Sequence, residues 1–393
     1  MAIHSGLSGS GFTMVHSALK LALRLLKNGI RFRGQQVAGK PGRPQALSLE
    51  VTHACIARCI MCNIWKIPAD VPNLPVPQWI ELLSSELFGD IRELDITGGE
   101  PFIRDDLIDL FYGICELKHK NLLALRSIAV TTNGLLTDRV LSTVEKILPA
   151  LQKKDLGLVV VCALDAVGEL HNRIRNYPDA WSKVSKTLEG LAAFRDRHPN
   201  LIVGLKTTIL PFNIDELGQI SEFADARGLF TIISPCIITE GRYLNPDRAE
   251  DLSFSPQDVD RMIEFFSNDQ FRWSFHADSL IDFFKTGTMK KPCTCGFNYF
   301  FVRSNGEMFL CPLIGDSVGN ITTTDVSELF LSNQAVEIRK KIGRLPQCRA
   351  CTEPGLERYA LPYEGFYYLK LLLKMGQTEF MQLHGHMGLD KYI

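Results

Sequence analysis

Short apolar segments alternate with amphipathic stretches between residues 46 and 254. The predicted strands are 46–52, 91–97, 127–132, 158–165, 202–208 and 230–234. The stretches between them have helical periodicity, at 77–88, 105–117, 138–151, 180–194 and 214–226. Strands that alternate with helices form parallel sheets with right-handed crossovers. The predicted fold class is therefore α/β, a partial (β/α)6 TIM-type barrel with functional residues after the carboxyl ends of its strands.

Composition and charge narrow the range of functions that the chain can have. With 43 Lys and Arg against 44 Asp and Glu, the formal net charge is -1, which argues against a nucleic-acid partner. Hydrophobic residues make up 46% of the chain, as in globular proteins. We find neither a secretory signal nor an apolar run of about 18 residues, so we expect a cytoplasmic protein. Its 11 cysteines then predict reduced thiols for metal or redox chemistry rather than disulfides.

Three cysteines, Cys55, Cys59 and Cys62, follow the first predicted strand with C-x3-C-x2-C spacing. Three thiolates in one loop can bind three irons of a cubane cluster and leave the fourth iron for another ligand. Zinc is the alternative, because His53 would complete a set of four ligands, although structural zinc commonly uses paired C-x2-C motifs. The spacing favours an iron-sulfur cluster with one open coordination position.

This triplet, followed after the second predicted strand by Gly98-Gly99-Glu100-Pro101, resembles the radical S-adenosylmethionine (SAM) superfamily. The resemblance covers residues 46–355. It implies a [4Fe-4S] cluster whose open iron is chelated by SAM, and a reducing electron donor of the flavodoxin or ferredoxin type. The reduced cluster would cleave SAM to a 5′-deoxyadenosyl radical that abstracts hydrogen from substrate.

The same resemblance implies a set of SAM contacts at strand ends. They are Met61, Gly98, Gly99, Glu100, Thr132, Asn133, Asp165 and Arg175. Met61 stands where the family usually has an aromatic residue, and its apolar side chain is expected to pack against adenine. Glu100 would accept hydrogen bonds from the SAM amino group, and Arg175 would clamp the carboxylate. We interpret the nearby His171 and Arg173 as a solvated helix start.

A second cysteine group lies near the carboxyl terminus. It consists of Cys293, Cys295, Cys311, Cys348 and Cys351. Asn305-Gly306 predicts a hairpin turn that brings Cys295 and Cys311 together. The array resembles the twitch domain, the shortened relative of the SPASM domain, which implies one auxiliary [4Fe-4S] cluster. Cys293 competes with Cys295 for the first ligand position, and a structural zinc site of four cysteines is the alternative.

The remaining cysteines are assigned by position. We expect Cys115 and Cys162 to be buried hydrophobic residues. Cys236 follows the sixth predicted strand at the barrel mouth, so it is a candidate catalytic hydrogen donor. The loop 239–243 is the candidate for substrate contacts. Lys206, Thr208 and Asn213 flank the end of the fifth strand in a family-like arrangement, with structural capping by Asn213 as the alternative.

Two end segments, 18–30 and 366–374, combine apolar residues with basic residues at helical spacing. Such helices can lie in a membrane interface, in this case at the inner face of the membrane. Alternatively, they can dock on the barrel or on another subunit with their basic stripe in water. We therefore divide the chain into a lead with a basic amphipathic helix (1–45), a radical SAM partial barrel (46–254), a linker helix with a small twitch/SPASM-like iron-sulfur domain (255–355) and a helical tail (356–393).

These expectations lead to an enzyme that oxidatively modifies a peptide or protein by hydrogen abstraction. A small molecule, a sugar or a lipid-linked substrate is the alternative. A different class is a non-catalytic iron-sulfur or zinc scaffold, or a redox sensor. Glu100 and Arg175 discriminate between the classes, because a scaffold has no need to bind a zwitterion.

Overall fold

The structure is a computed structural model that describes residues 18–271, 274–354, 357–385 and 389. The predicted amino-terminal lead, residues 1–17, and the last residues of the predicted tail lie outside the described residues.

Strands of the described residues form one continuous sheet with the order β6-β5-β4-β3-β2-β1-β7-β8-β9. The strands are β1 (Ala46–Thr52), β2 (Glu93–Gly98), β3 (Ser127–Thr132), β4 (Gly157–Ala163), β5 (Leu201–Ile209), β6 (Phe230–Pro235), β7 (Tyr299–Val302), β8 (Glu307–Phe309) and β9 (Ser317–Asn320). From β1 to β6 each strand pairs in parallel with the next one in the chain. This is the predicted partial (β/α)6 barrel.

Helices follow the strands in the predicted rhythm. They are α1 (Ala18–Ala38), α2 (Val76–Leu83), α3 (Leu107–Leu117), α4 (Thr137–Lys153), α5 (Glu169–Arg175), α6 (Ala180–Arg195), α7 (Leu217–Asp225), α8 (Pro256–Phe266), α9 (Phe275–Thr286), α10 (Val326–Leu331), α11 (Asn333–Lys341), α12 (Pro346–Arg349), α13 (Glu357–Glu364) and α14 (Phe366–His384). Helices α2 to α7 connect the parallel strands. Within α14 the backbone leaves the helical conformation at Gly376.

The barrel core lies between the sheet and these helices. Every residue of β1 is buried, which is typical of a parallel strand covered on both faces. Val159, Val160 and Val161 of β4 are buried in the same way. Strands that are packed on both faces in this way offer functional groups mainly at their ends.

The hairpin of the carboxyl-terminal region joins the barrel sheet directly. β7 pairs in parallel with β1, from Ala46 opposite Tyr299 to Leu49 opposite Val302. β8 then runs antiparallel to β7, and the turn has a positive φ of 89° at Gly306, so the predicted hairpin is confirmed. The hairpin covers the edge of β1, which would otherwise be an open strand edge.

Helix α1 packs against α13 and α14. The ring of Phe32 meets Phe297 and Tyr363 edge-on, with centroids 5.3 and 5.7 Å away. The amino-terminal helix is thereby docked on the carboxyl-terminal part of the chain. Among the helices of the described residues, none is both long and apolar enough to cross a bilayer.

Candidate active site at the barrel mouth

The carboxyl ends of the parallel strands and the loop after β1 enclose a cavity of about 1040 Å³, including its opening to solvent. The predicted site residues that line it are Cys55, Cys59, Met61, Cys62, Gly98, Gly99, Thr132, Asn133, Arg175 and Cys236. Glu100 and Asp165 are wholly buried and contact residues of this wall. The cavity therefore lies where the barrel topology places functional residues.

The loop that carries the first three cysteines is fixed by α5 and by Trp65. Arg58 and Ile60 donate backbone hydrogen bonds to the carbonyls of Arg175 and Ile174, at 3.2 and 3.1 Å. Trp65 Nε1 donates to the carbonyl of Cys62 at 2.9 Å. These bonds fix the loop that places the three thiols at one wall of the cavity.

The three thiols have the properties expected of cluster ligands. Burial, followed by the neighbouring Cys59, raises the pKa of both Cys55 and Cys62 to about 12. Thiols in such surroundings ionise readily only when a metal supplies positive charge. Three half-buried thiols that line one cavity therefore fit three irons of a cluster. His53, the candidate fourth zinc ligand, bonds Ser304 Oγ through Nδ1 at 3.2 Å.

Gly98 and Gly99 let the end of β2 approach the start of the cysteine loop. A Cβ at Gly98, where φ is +152°, would lie 2.2 Å from the carbonyl oxygen of Thr52. A Cβ at Gly99 would lie 2.3 Å from the carbonyl oxygen of Ala54. The structural demand for glycine thus comes from this backbone contact, and both residues also line the cavity.

Glu100 organises the wall of the cavity from behind. Its Oε1 accepts hydrogen bonds from Phe102 N at 3.1 Å and Thr132 Oγ1 at 2.9 Å, and its Oε2 accepts from Asn133 N at 2.7 Å. Burial nevertheless raises the pKa of Glu100 to about 7. The carboxylate thus fixes Thr132 and Asn133, and Asn133 Nδ2 in turn lies 3.8 Å from Cys55 Sγ. The sequence predicted a direct contact with SAM at Glu100, which stays a prediction.

Arg175 connects the barrel to the cysteine loop. Its Nη2 forms a 2.6 Å ion pair with Asp165 Oδ2, and its Nη1 lies 3.6 Å from Cys59 Sγ. Asp165 also accepts a hydrogen bond from Thr208 N at 2.9 Å. Asp165 therefore positions Arg175, and Arg175 is the member of the pair that lines the cavity.

The interpretation of His171 as a solvated residue is wrong. His171 is completely buried, and its Nδ1 accepts a hydrogen bond from Asp165 N at 3.2 Å, whereas Arg173 is exposed as expected. Asn213 is also buried, and its Nδ2 donates to the carbonyls of Asp165 and Thr208, at 2.8 and 3.0 Å. Asn213 thus ties the ends of β4 and β5 together and has a structural role, whereas His171 ties α5 to the residue after β4.

Met61 of the cysteine loop and Cys236, which follows β6, pack in one small apolar cluster. Met61 is buried there with Ile174 and Leu210, and Cys236 packs against the same cluster. Burial raises the pKa of the Cys236 thiol to about 12, so it keeps its proton at neutral pH. Cys115 and Cys162 are buried in the main core, as predicted.

Polar and charged side chains outside the predicted SAM contacts also line the cavity. They include Lys206, Arg242, Tyr243 and Glu353. Arg242 Nη2 donates to Thr97 Oγ1 at 2.8 Å. Tyr243 and, to a smaller extent, Glu353 raise the pKa of Lys206, which keeps the ammonium charged. Besides Arg175, the cavity wall thus carries Lys206 and Arg242 as cations and Glu353 as a carboxyl group. This excess of cations suits an anionic group of a ligand.

The second cysteine group assembles around the β7–β8 hairpin and α12. The neighbouring thiols of Cys293 and Cys311 raise the pKa of Cys295 well above its ordinary value. Burial raises the pKa of Cys351 to about 11, and Cys293 and Cys311 add to the rise. The pKa of Cys348 is raised in the same way. These thiols are close enough to shift one another's pKa, and their binding of one shared cluster stays a prediction.

The competition between Cys293 and Cys295 has a structural basis. Cys293 and Cys311 both interact with Cys348 and Cys351. Cys295 is wholly buried, and beyond its two thiol contacts it interacts with Tyr299. Which of the two thiols binds the auxiliary cluster stays a prediction.

Two residues of the cavity wall were missed by sequence reasoning. Trp65 follows Cys62 by three residues and lies under the guanidinium of Arg58, 5.4 Å from it. Glu353 follows Cys351 by two residues and reaches the barrel mouth from the second cysteine group. Proximity to a cysteine motif was the available signal, and only the tertiary structure turns these side chains toward the cavity.

A partial barrel with three half-buried thiols at an open cavity, and a second thiol group beside it, is the arrangement of an iron-sulfur enzyme. Residues 49–224 match the family model of the radical SAM superfamily, and residues 293–352 match that of SPASM, an iron-sulfur cluster-binding domain. The chain belongs to the radical SAM superfamily. It is an enzyme that binds a [4Fe-4S] cluster and SAM and carries an auxiliary iron-sulfur cluster domain, so the predicted family and cofactors are confirmed.

Curated relatives have different activities. The AdoMet-dependent heme synthase of Methanosarcina barkeri is 22% identical over 81% of this chain and 93% of its own length. GTP 3′,8-cyclase 1 of Pseudomonas aeruginosa is 31% identical, over 47% of this chain and 51% of its own length. This chain thus spans about half of the cyclase.

A solved structure shows the same fold. Streptococcus suis SuiB bound to S-adenosylmethionine has a TM-score of 0.57 and 14% identity, over 89% of this chain and 79% of SuiB. At this identity the likeness concerns the fold alone, and it confirms the predicted fold class.

Proposed function

We propose that the enzyme oxidises a peptide or protein substrate at the barrel mouth. The bound cluster and SAM supply a 5′-deoxyadenosyl radical as the hydrogen acceptor. The substrate then loses one hydrogen atom, followed by one electron and one proton, which amounts to a two-electron oxidation. The first electron comes from a reduced donor of the flavodoxin or ferredoxin type.

The contact between the second cysteine group and the cavity carries this proposal. Glu353, two residues after Cys351, lines the same cavity as Cys59 and Arg175. Thr352 Oγ1 donates to the carbonyl of Pro235 at 3.4 Å, at the end of β6. A cluster held by Cys351 would therefore lie beside the substrate, in a position to accept the electron that a substrate radical gives up.

The charges of the cavity support a substrate with an anionic group. Lys206 and Arg242 are both cations in its wall, and Arg242 is held there by Thr97. A peptide offers such a group as an acidic side chain or a terminal carboxylate, and SuiB has been solved with its precursor peptide SuiA.

A small carboxylated molecule is the second candidate. The same two cations would bind its carboxylate, and the match to the heme synthase, which spans 93% of that relative, supports a non-peptide substrate.

Protease treatment separates the two candidates. The reconstituted enzyme, dithionite and SAM are incubated with size-fractionated extract of the source cells, and 5′-deoxyadenosine is quantified. Stimulation that proteinase K abolishes supports a peptide, and a product lighter by two hydrogens supports oxidation. Stimulation that survives the protease shows a small molecule. Intact SAM under all conditions contradicts the proposal.

Cys236 provides a check on the outcome of the reaction. Its protonated thiol would return a hydrogen atom to the substrate radical, which gives a product of unchanged mass. If Cys236→Ala leaves an oxidised product unaffected, Cys236 is a wall residue. If the variant converts an isomerised product into an oxidised one, Cys236 is the hydrogen donor and the oxidative assignment is wrong.

A further inference from the structure

Helix α1 has three chemically distinct faces. The buried face consists of Leu21, Leu25 and Phe32. A second face is apolar although exposed, and it consists of Leu19, Leu23, Leu26 and Ile30, which are 68%, 56%, 40% and 62% exposed. The third face is basic and exposed, and it consists of Lys20, Arg24, Lys27 and Arg31. At about 100° per residue, each face covers an arc of about 60° or less.

The exposed apolar face is a continuous stripe. Its members follow the spacing i, i+4, i+7, i+11, so each neighbours the next along the helix. Single exposed leucines need no explanation, but a contiguous exposed stripe marks an interaction surface. Since the buried face already docks the helix, the stripe is not needed for packing within the described residues.

Tight contacts hold α1 in this orientation. Asn28 Nδ2 donates to the carbonyl of Pro362 at 2.9 Å. Gly29 faces the ring of Phe366 so closely that a Cβ would lie 2.1 Å from it. The stripe is therefore presented by a fixed helix, on the side away from α13 and α14.

The charge of α1 indicates which kind of partner its exposed faces can bind. The helix contains five basic residues and no acidic residue, in the sequence ALKLALRLLKNGIRFRGQQVA. A second copy of this face would bring like charges together, which disfavours self-association through it. Anionic lipid headgroups instead attract the basic face while the acyl region accepts the apolar one. Helix α14 repeats the combination, with exposed Lys370, Leu373 and Lys374.

We propose that α1 binds the surface of an anionic lipid bilayer, with Leu19, Leu23, Leu26 and Ile30 inserted at the headgroup boundary and the basic face beside the headgroups. The proposal does not depend on the identity of the substrate. It assigns to the enzyme a peripheral membrane position set by one helix.

Vesicle sedimentation of the full-length protein tests this. We expect binding to vesicles of phosphatidylcholine with phosphatidylglycerol, weak binding to phosphatidylcholine alone, and a loss of binding at high salt. The variant L23E/I30E should bind at least about tenfold more weakly. The variant R24Q/K27Q should lose the preference for anionic vesicles. L331E changes an exposed leucine of α10 and should bind as the wild type does.

Several results would overturn the proposal. One is the absence of wild-type binding to the anionic vesicles, and another is unchanged vesicle binding by L23E/I30E. A third is a loss of vesicle binding in L331E as large as that in L23E/I30E. A protein whose leucine variant changes from dimer to monomer, with vesicle binding unaltered, would show that a second copy covers the stripe. Far-ultraviolet circular dichroism and iron content, equal in all variants, exclude misfolding because every substituted side chain is exposed.

Discussion

Arg175 Nη2 lies 2.6 Å from Asp165 Oδ2, and both side chains are almost completely buried behind the cysteine loop. The same guanidinium reaches Cys59 Sγ, and the carboxylate is held by Thr208 N. One ion pair therefore joins the ends of β4 and β5 to α5 and to the first cysteine group. The position of a cation beside the cluster site is fixed by the barrel itself.

Removing one member of this pair should be costlier than removing both. Arg175→Ala leaves Asp165 buried without its cation, so we expect a loss of about 3–5 kcal/mol in the free energy of unfolding. The double variant D165N/R175A should recover part of that loss, because no buried charge remains. Urea unfolding of the wild type, D165N, R175A and the double variant measures this coupling, and strictly additive losses would contradict it.

SAM binding by the same variants distinguishes the role of the Arg175 cation at the cavity from its role in the stability of the fold. Equilibrium dialysis should show weakened binding in R175A and in the double variant alike, since both lack the cation at the cavity. Recovery of stability without recovery of binding is the expected pattern. Normal SAM affinity in R175A would remove Arg175 from the cofactor site.

The two cysteine groups should lose their irons independently. The triple variant C55A/C59A/C62A should keep about four of about eight irons per chain after anaerobic reconstitution and should form no 5′-deoxyadenosine. The control is Cys115→Ala, since this thiol is buried in the core on α3 and should leave about eight irons. Iron analysis would argue against the division of ligands if the triple variant lost both clusters.

Cys293 and Cys295 should behave differently despite their proximity. Cys293→Ala should lose the auxiliary cluster, because this thiol interacts with Cys348 and Cys351. Cys295→Ala should keep it, with only the modest destabilisation of a small core substitution. Iron content and the cluster absorption of the two matched variants measure the difference. Reversal of the two results would make Cys295 the ligand.

The parallel barrel was largely predictable because each of its strands is marked by a local pattern of residues in the sequence. β3 has the predicted bounds, Ser127–Thr132, since a strand buried on both faces reads as a run of β-branched residues between turn signals. The hairpin turn at Gly306 was predictable for the same reason. The parallel pairing of β7 with β1 joins segments about 250 residues apart, and no local pattern specifies such a partner.

The sequence predicted which residues form much of the site, but it did not predict the directions in which their side chains point. The three cysteines of the first group and Arg175 line the cavity as predicted. The sequence could not show that His171 turns inward to Asp165, because a short helix start with charged neighbours is typical of a solvated segment. Nor could it show that Glu353 crosses from the second cysteine group into the barrel mouth, since that contact exists only in the folded chain.

Glu100 should make the stability of the protein depend on pH. Its pKa rises from the ordinary 4.5 to about 7, because burial outweighs the hydrogen bonds from Asn133, Thr132 and Phe102. Between these values the folded state binds a proton that the unfolded state releases. The contribution of Glu100 is therefore fully present below about pH 4.5 and is lost as the pH rises through about 7.

Comparison with Glu100→Gln isolates this contribution, because the amide cannot ionise. With the cluster absent and thiols kept reduced, we expect the melting temperature of the wild type to fall between about pH 5 and about pH 8 relative to that of E100Q. Subtraction of the two profiles removes other groups, such as Glu357, whose pKa burial also raises to about 7. E100Q itself places an amide against the Thr132 and Asn133 donors, so it should be less stable at low pH, where wild-type Glu100 is protonated and uncharged. Parallel profiles for the two proteins would show that Glu100 does not titrate in this range.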